Sequence, residues 1–331
     1  MWSPLLNLFR SMTLLAACIV AACVVAGFVF DNWIGDLCSQ LRLVWCCLLL
    51  PFLVTFAVLR MWLPLLMLVT VFLINAAPIV SLYLPYELVE KLTATAEIRN
   101  GRLRPSSLSL LNFNTEFQHN NDYQSFAALL RRVQPDILVL TEVDKIWFAA
   151  VAEHTKAYPY SQTLTEGAGL ALYSKFPICK SEVRYFGKSH HPRIFAQLQL
   201  PVGIVNLVLV HPPTPQVEAR FMERNKELNL IASEISALAG PTILVGDFNC
   251  GPWSKPFAQL LSIGLHDSEQ GFGPQPTWPA RAGRVIEKLS VPPLVPIDHV
   301  LVSNDIEILE RTVGTAIGSD HLPVFVKITV Y

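Results

Sequence analysis

Three long apolar runs open the chain, at residues 11–30, 43–59 and 61–84. Residues 11–30 carry no formal charge, and as a helix they are long enough to cross about 30 Å of hydrocarbon. A cleaved signal peptide has a shorter apolar core and is not followed by two more apolar runs, so the first run is predicted to be a retained anchor. We therefore expect residues 1–86 to form about three transmembrane helices. A two-span arrangement is the alternative, because prolines interrupt the second and third runs and are tolerated in membrane helices.

Charges beside the apolar runs predict their orientation. Arg10 and Arg60 flank the spans on one side, whereas the first loop contains Asp31 and Asp36. Under the positive-inside tendency, three spans place the amino terminus in the cytoplasm and the rest of the chain outside. The predicted location is a bacterial-type inner membrane with a periplasmic globular part. Three arginines after the last run favour the opposite orientation: Arg99, Arg102 and Arg104.

The hydrophobic pattern changes after residue 86. Residues 87–106 have the composition of a polar linker, and residues 107–331 have the mixed texture of a globular domain. Short β-type runs dominate the globular part, at residues 107–114, 136–142, 169–173, 195–200, 204–210, 242–245 and 297–303, with a further apolar stretch within residues 318–328. Helical spacing occurs at residues 126–133 and 216–239. Strands with few helices between them favour an α/β fold of two packed sheets with helices outside over a singly wound parallel sheet.

Polar residues gather where these strands end: Asn114, Glu142, His211, Asp247, Asn249, Asp298, Asp320 and His321. Side chains at strand ends and on the loops beyond can converge on a ligand, whereas those in the middle of a strand are committed to packing. The structural alternative for Asp247 and Asn249 is a simple turn, since both residue types favour turns. Asn112 is an alternative to Asn114, because both lie near the end of one strand with the same parity.

This set of side chains suits a hard divalent cation. Oxygen ligands of mixed charge are typical of Mg²⁺ sites, in which one or two carboxylates and substrate phosphate hold the ion. Zinc is disfavoured, because the chain has neither a cysteine pair at zinc-finger spacing nor a His-Glu-x-x-His run. Asp298 and His321 are candidates for a carboxylate–imidazole pair, which fixes the imidazole tautomer. Such groups fit the hydrolysis of a phosphate ester.

Composition narrows the choice of partner. From residue 100 onwards the chain has 20 Lys and Arg against 21 Asp and Glu, so it lacks the net positive charge on which nonspecific nucleic-acid binding depends. Five of the seven cysteines lie within residues 1–86, in or between the apolar runs, and are interpreted as small hydrophobes. Cys179 and Cys250 lie in the globular part, where a disulfide and two separate thiols are both open.

The motifs that carry these residues also resemble those of a known family. In chain order they are Asn114, Glu142 in Leu-Thr-Glu-Val, the run from Gly169 to Ile178, His211, Gly-Asp-Phe-Asn at 246–249, Ile-Asp-His at 297–299 and Ser-Asp-His at 319–321. Together they resemble the endonuclease/exonuclease/phosphatase superfamily, with its deoxyribonuclease I-like fold, over residues 107–330. The resemblance implies a four-layered α/β sandwich of two packed, mainly antiparallel sheets flanked by helices. It also implies a dependence on Mg²⁺, with Mn²⁺ as an alternative.

The resemblance further implies roles for individual residues around the metal. Glu142 would be the principal metal ligand, with Asn114 and Asp320 close to the ion. Asp247 would orient or deprotonate the attacking water.

Further roles concern the substrate phosphate. Asn249 would bind the scissile phosphate, and His211 would donate to one of its oxygens. His321, oriented by Asp298, would contact the phosphate or exchange protons with it. Trp278 is interpreted either as an ordinary buried tryptophan or as an aromatic that faces the substrate.

Two other polar residues have structural interpretations. His299 follows Asp298 directly and is expected to face the opposite side of its strand, where it packs or caps. Arg224 lies in the long predicted helix and is interpreted as a surface or interhelical ion-pair residue.

The sequence thus predicts a membrane-anchored, divalent-metal-dependent phosphoesterase that acts on a phosphodiester or a phosphomonoester. The alternatives are a nuclease that acts on nucleic acid and a non-catalytic binding or sensing protein on the same fold. Expected partners are a phosphoester substrate, which is a lipid headgroup, a small phosphoester or nucleic acid, and membrane lipid around the N-terminal helices. No sequence feature indicates a protein partner.

Overall fold

The computed structural model describes residues 4–86, 88, 105–167, 169–186, 191–281 and 291–331. The predicted linker, residues 87–106, lies outside the described residues except at 88, 105 and 106. The three arginines that argued against the preferred orientation, at 99, 102 and 104, also lie outside them.

The N-terminal part is a bundle of apolar helices. The helices are α1 Pro4–Val29, α2 Trp33–Gln40, α3 Arg42–Val58 and α4 Trp62–Ser81. By length and composition, α1 and α4 can each cross a membrane, and a third span results if α2 and α3, bent by 69° at their junction, form one. Two or three spans therefore remain, as the sequence indicated.

The globular part contains two six-stranded sheets among the described residues. The strands are β1 Ser106–Asn114, β2 Ile137–Thr141, β3 Tyr160–Leu164, β4 Leu170–Ser174, β5 Ile178–Tyr185, β6 Pro192–Leu200, β7 Gly203–Val210, β8 Thr242–Asp247, β9 Leu265–Asp267, β10 Asp298–Ser303, β11 Ile306–Val313 and β12 Val324–Val330. The helices are α5 Tyr123–Val133, α6 Lys145–Thr155, α7 Glu218–Ser236 and α8 Lys255–Ser262.

The two sheets have the same internal pattern. Their strand orders are β11-β12-β1-β2-β4-β3 and β5-β6-β7-β8-β10-β9. In each sheet the central pair, β1 with β2 or β7 with β8, is parallel, and the other neighbours are antiparallel. The prediction of two mainly antiparallel sheets flanked by helices is confirmed.

Apolar side chains fill three layers. Between the sheets, residues such as Leu172, Leu207 and Val326 form one fully buried cluster. A second cluster packs α5 and α6 against the outer face of the first sheet, and a third packs α7 and α8 against the second sheet. Strands buried on both faces read as continuous apolar runs rather than alternating ones, which is why β2 and β8 are unmistakable in the sequence.

Local chemistry sets where the elements end. The side chain of Asp122 caps α5 by accepting a hydrogen bond from the backbone N–H of Ser125 at 3.1 Å, which satisfies a donor that the first turn leaves open. In β8, Gly246 has φ +144°, and a Cβ there would lie 1.9 Å from the carbonyl oxygen of Val210. Only glycine lets β8 pair closely with β7 at the point where both strands end.

The parallel pairs explain where a site can form. Parallel strands end at the same edge of a sheet. The loops after β1 and β2 therefore lie side by side, as do the loops after β7 and β8. Contacts of β8 with β1 and β2 bring the two edges together. The antiparallel strands β10 and β12 begin at the same edge, since Asp298 pairs with Asp247 and Val324 with Asn112.

Candidate active site

Four side chains from the ends of the parallel pairs meet between the sheets. Asn114 and Asp247 are the last residues of β1 and β8. Glu142 and His211 directly follow β2 and β7. The amide nitrogen of Asn114 donates to Glu142 Oε1 at 3.1 Å and to Asp247 Oδ2 at 3.0 Å. His211 Nε2 lies 3.5 Å from Glu142 Oε1 and 3.7 Å from Asp247 Oδ2. The ends of both sheets therefore share one small polar cluster.

Glu142 has backbone geometry that is uncommon for its residue type. Its φ is +59°, in the left-handed region that non-glycine residues rarely adopt and that recurs at functional sites. Its Oε2 accepts a hydrogen bond from the backbone N–H of Phe117 at 2.9 Å. The carboxylate is thus held in place from two sides.

A histidine–carboxylate pair completes the cluster. Asp298 Oδ2 and His321 Nδ1 are 2.8 Å apart, and His321 Nε2 lies 3.7 Å from Asp247 Oδ2. Because Nδ1 bonds to Asp298, Nε2 is the nitrogen that faces the site. Ser319 supports this loop, since its hydroxyl donates to the carbonyl oxygen of Asn114 at 2.8 Å and accepts from the backbone N–H of His321 at 3.0 Å.

Asn249 lies on the loop directly after β8. Its backbone N–H donates to Asp247 Oδ1 at 2.8 Å, and its side-chain amide donates to the carbonyl oxygen of Pro212 at 3.0 Å. Its φ of +51° is again in the left-handed region. The loops after β7 and β8 are therefore joined at this residue, which is buried.

Asp320 and Trp278 lie at the rim. Trp278 Nε1 donates to Asp320 Oδ2 at 3.0 Å, and Asp320 Oδ1 is 3.9 Å from His321 Nε2. Trp278 is 39% exposed, so the interpretation of an ordinary buried tryptophan is wrong. The side chains of Glu142 and Asp320 are 25% and 28% exposed, which leaves the cluster accessible beside them.

Burial and mutual charge set the protonation of the cluster. Burial raises the pKa of the Asp247 carboxyl to about 7. Burial alone would lower the pKa of His321, but the carboxylates of Asp298 and Asp247 raise it well above its ordinary value. Burial also lowers the pKa of His211, although Glu142 opposes this. For Glu142, the neighbouring histidines outweigh burial, and its pKa is lowered. The cluster therefore favours a cationic His321 and an ionised Glu142 at neutral pH.

Two overlapping groups of these side chains have the spacing of metal ligands. Within each group the ligand atoms lie within 4.8 Å of one another: Glu142 with His211 and Asp247, and Asp247 with Asp298 and His321. Carboxylate oxygens dominate, and neither ring nitrogen of the buried His211 has a hydrogen-bond partner among the described residues. This donor set fits a divalent cation. Asp320 does not belong to either group.

The sequence model of the Endonuclease/Exonuclease/phosphatase family matches residues 111–321, which is most of the globular part. The chain belongs to this family. Members of the superfamily are hydrolases that act on phosphoester bonds and are typically dependent on a divalent metal. A comparison with curated proteins found no significant match.

Solved structures share the fold at low sequence identity. D. rerio TDP2 complexed with single strand DNA product is 16% identical with a TM-score of 0.56, covering 67% of this chain and 99% of that one. The human Nocturnin catalytic domain with bound sulfate anion is 17% identical with a TM-score of 0.54, and the match covers 68% of this chain and 95% of that one. An endonuclease/exonuclease/phosphatase from Beutenbergia cavernae is 19% identical with a TM-score of 0.53, and the match covers 68% of this chain and 72% of that one.

All of the site residues predicted from the sequence lie in or beside this cluster. Asn114 contacts it, whereas its alternative Asn112 is buried with no side-chain partner among the described residues. His299 faces away, as expected, and bonds through Nε2 to the carbonyl oxygen of Cys250 at 3.0 Å. Cys250 and Cys179 are both free thiols.

Sequence reasoning missed an ion pair at the rim. Glu116 pairs with Arg281, and its Oε2 accepts from the backbone N–H of Asp320 at 2.9 Å. The pair thereby fixes the loop that carries Asp320 and His321. Glu116 lies two residues beyond the predicted strand 107–114, so the pattern of strand ends held a signal for it, whereas Arg281 follows no predicted strand.

Proposed function

We propose that this protein is a membrane-anchored, divalent-metal-dependent phosphoesterase that hydrolyses a phosphodiester or phosphomonoester by attack of water. Residues 1–86 would anchor the chain, and residues 107–331 would form the catalytic domain. The observation that carries this proposal is the convergence of Glu142, Asp247 and His321 at one accessible cluster. Membership of the family supports it, since the superfamily acts on phosphoester bonds.

Oxygen donors of the cluster would hold the metal. Glu142 is the principal ligand in this proposal, with the Asn114 side chain and Asp320 close by. Mg²⁺ suits these hard oxygen donors, and Mn²⁺ is the alternative. When bound, such an ion polarises a phosphoryl oxygen and stabilises the charge that develops on it.

The other residues of the cluster would handle the proton and the phosphate. Asp247, which accepts a hydrogen bond from Asn114 at 3.0 Å and lies 3.7 Å from His321 Nε2, orients the attacking water and takes its proton. Cationic His321, held by Asp298, directs Nε2–H at the phosphate and supplies a proton to the leaving oxygen. Asn249 and His211 orient the phosphate, and Trp278 borders the place where the rest of the substrate lies.

The bundle of apolar helices favours a substrate at a membrane surface, such as a lipid headgroup. The near-neutral globular part supports this choice over nucleic acid, which binds mainly through basic residues. We propose an inner-membrane location with the catalytic domain in the periplasm.

Metal dependence tests the proposed reaction. Full-length protein in mild detergent is assayed with a chromogenic phosphodiester and a chromogenic phosphomonoester, before EDTA treatment, after it, and after restoration of Mg²⁺ or Mn²⁺. We expect turnover to be lost with EDTA and regained with metal. Equal rates before and after EDTA would remove the metal from the mechanism.

A nuclease is the second candidate, because one structure with the same fold contains a DNA product. The same preparation is therefore assayed on plasmid DNA at physiological salt. We expect weak cleavage at most, and efficient cutting would favour the nuclease.

A further inference from the structure

The anchor reaches the candidate active site through one buried arginine. Arg224 on α7 donates from Nη1 to the main-chain carbonyl oxygen of Asn249 at 2.6 Å and from Nη2 to Asp36 Oδ2 at 2.7 Å. Asp36 belongs to α2, in the N-terminal helical bundle. The Arg224 side chain is fully buried and that of Asp36 is 7% exposed. The interpretation of Arg224 as an interhelical ion-pair residue is thus confirmed, and its interpretation as a surface residue is wrong.

The pair is built to hold one geometry. A guanidinium is planar and presents its donors in a fixed fork. Arg224 can therefore bond Asp36 Oδ2 and the carbonyl oxygen of Asn249 together only when these two oxygens match the spacing of the fork. Gln40, one turn after Asp36, also donates to Asp36 Oδ2 at 2.7 Å. An uncompensated buried charge is strongly unfavourable, and therefore Arg224 depends on Asp36 to remain at this place.

At the other end, Arg224 sets the position of a site residue. Asn249 is held at three atoms: its N–H by Asp247, its side chain by Pro212 and its carbonyl oxygen by Arg224. Its left-handed φ of +51° needs such support, because that conformation is unfavourable without it. Loss of the Arg224 bond would free the backbone between Asp247 and the following turn.

A second contact links α2 to the other site loop. Trp33 Nε1 donates to the carbonyl oxygen of Pro215 at 2.8 Å, four residues after His211. The helix thus contacts the loop after β7 directly and the loop after β8 through Arg224.

We infer that Asp36 is a positioning residue of the active site: through Arg224 it holds the Asn249 loop in its working conformation, which makes the anchor a structural part of the site as well as a tether. This inference rests on the proposed function. It requires that loss of Asp36 lower turnover rather than merely loosen the bundle.

The chain offers a matched control in Asp31. Asp31 also belongs to the N-terminal part and also pairs with the globular part, through Lys255 at 2.7 Å, but both side chains are more than half exposed. Asp36→Ala and Asp31→Ala are compared in full-length protein in lipid nanodiscs, with the chromogenic ester that the wild type turns over. We expect Asp36→Ala to lower kcat by about tenfold to 100-fold, since small displacements at a site have effects of this size, with KM changed less than about threefold. Asp31→Ala should stay within about twofold of wild type in both.

Two further variants separate positioning from general damage. Arg224→Lys keeps a positive charge beside Asp36 but replaces the two nitrogens of the planar fork with a single nitrogen on a shorter side chain, so we expect kcat to fall by at least about tenfold in a protein that stays folded. In the double variant Asp36→Ala with Arg224→Lys, kcat should fall no further than in Arg224→Lys alone, because Asp36 acts through the arginine fork. Independent, multiplying losses would overturn the inference, as would wild-type kcat in Arg224→Lys.

Amide hydrogen exchange gives a readout without substrate. In Asp36→Ala, and in Arg224→Lys if the former does not fold, amides of residues 248–254 should exchange at least about tenfold faster than in wild type, while Asp31→Ala leaves them unchanged. Unchanged exchange in the Arg224 variant would overturn the inference. An inactive wild type would contradict the proposed function alone. The exchange comparison would still test whether Asp36 holds the Asn249 loop through Arg224.

Discussion

At the scale of single residues, the site works through charges that are placed where water is scarce. The Asp298–His321 pair shows the effect most simply. The carboxylate fixes which ring nitrogen faces the site and favours the cationic ring. The same principle of an oriented imidazole operates wherever a histidine moves protons beside a carboxylate.

Asp298→Asn should therefore damage catalysis without unfolding the protein. Asparagine preserves the shape at position 298 but removes the charge that supports cationic His321. We expect kcat to fall by about 100-fold or more, in the range of a general acid–base contribution. Steady-state kinetics checks this, with circular dichroism to verify the fold. Wild-type kcat would show that His321 does not depend on Asp298.

Glu227 allows a pH prediction away from the site. This residue of α7 is fully buried, and neither carboxylate oxygen has a hydrogen-bond partner among the described residues. Burial raises the pKa of Glu227 from 4.5 to about 8. Between these two values the unfolded state has lost its proton while the folded state keeps it, so the free energy of unfolding decreases as pH rises.

Glu227→Gln removes that titration. We expect the variant to gain stability relative to wild type as pH rises from 5 to 8, by on the order of 3 kcal/mol. Thermal unfolding at several pH values measures the difference. Glu218→Gln, an exposed change on the same helix, should show no such trend. A difference between Glu227→Gln and wild type that is independent of pH would contradict the assignment.

At the scale of elements, burial decided which parts of the fold the sequence revealed. The central strands β2 and β8 are buried along their whole length and were predicted from apolar runs. All four edge strands were missed: β3, β5 and β11 are partly exposed at the sheet margins, and β9, although buried, has only three residues. Pattern recognition depends on burial, and an edge strand takes its shape from its single neighbour.

The site divides along the same line. Residues at the ends of buried strands could be predicted, because the last apolar residue of a run marks where the strand ends. The partnership of Arg224 with Asp36 could not, because it joins residues 188 positions apart and depends on how the helical bundle docks. The same holds for Glu116 with Arg281, which are 165 positions apart.

Helix α8 provides a direct test of element packing. Leu260 is fully buried against the second sheet, whereas its neighbour Leu261 is 38% exposed. We expect Leu260→Ala to reduce the free energy of unfolding by about 2–5 kcal/mol, and Leu261→Ala to change it by less than about 1 kcal/mol. Urea unfolding followed by tryptophan fluorescence compares them. Equal losses would mean that α8 does not pack as described.

At the scale of the whole molecule, orientation across the membrane is open to measurement through one thiol. Cys179 is a free, exposed cysteine in the globular part. If that part is periplasmic, a membrane-impermeant maleimide should label Cys179 in intact spheroplasts, and Cys179→Ser should remove that labelling. Labelling that appears only after the membrane is broken would place the globular part in the cytoplasm.

The two sheets, each with one central parallel pair, bring four strand ends to one cleft, and the helical bundle docks behind it. The central claim is that this convergence makes one phosphoester-hydrolysing site. Glu142 is its proposed principal metal ligand, while Glu166 is a surface glutamate whose side chain is 89% exposed. The two residues form a matched pair for substitution.

The most direct measurement is therefore kcat/KM of full-length Glu142→Gln and Glu166→Gln on the chromogenic ester, with saturating Mg²⁺. We predict a loss of at least about 100-fold for Glu142→Gln, with its thermal midpoint preserved, and wild-type activity for Glu166→Gln. Wild-type activity in Glu142→Gln would contradict the account.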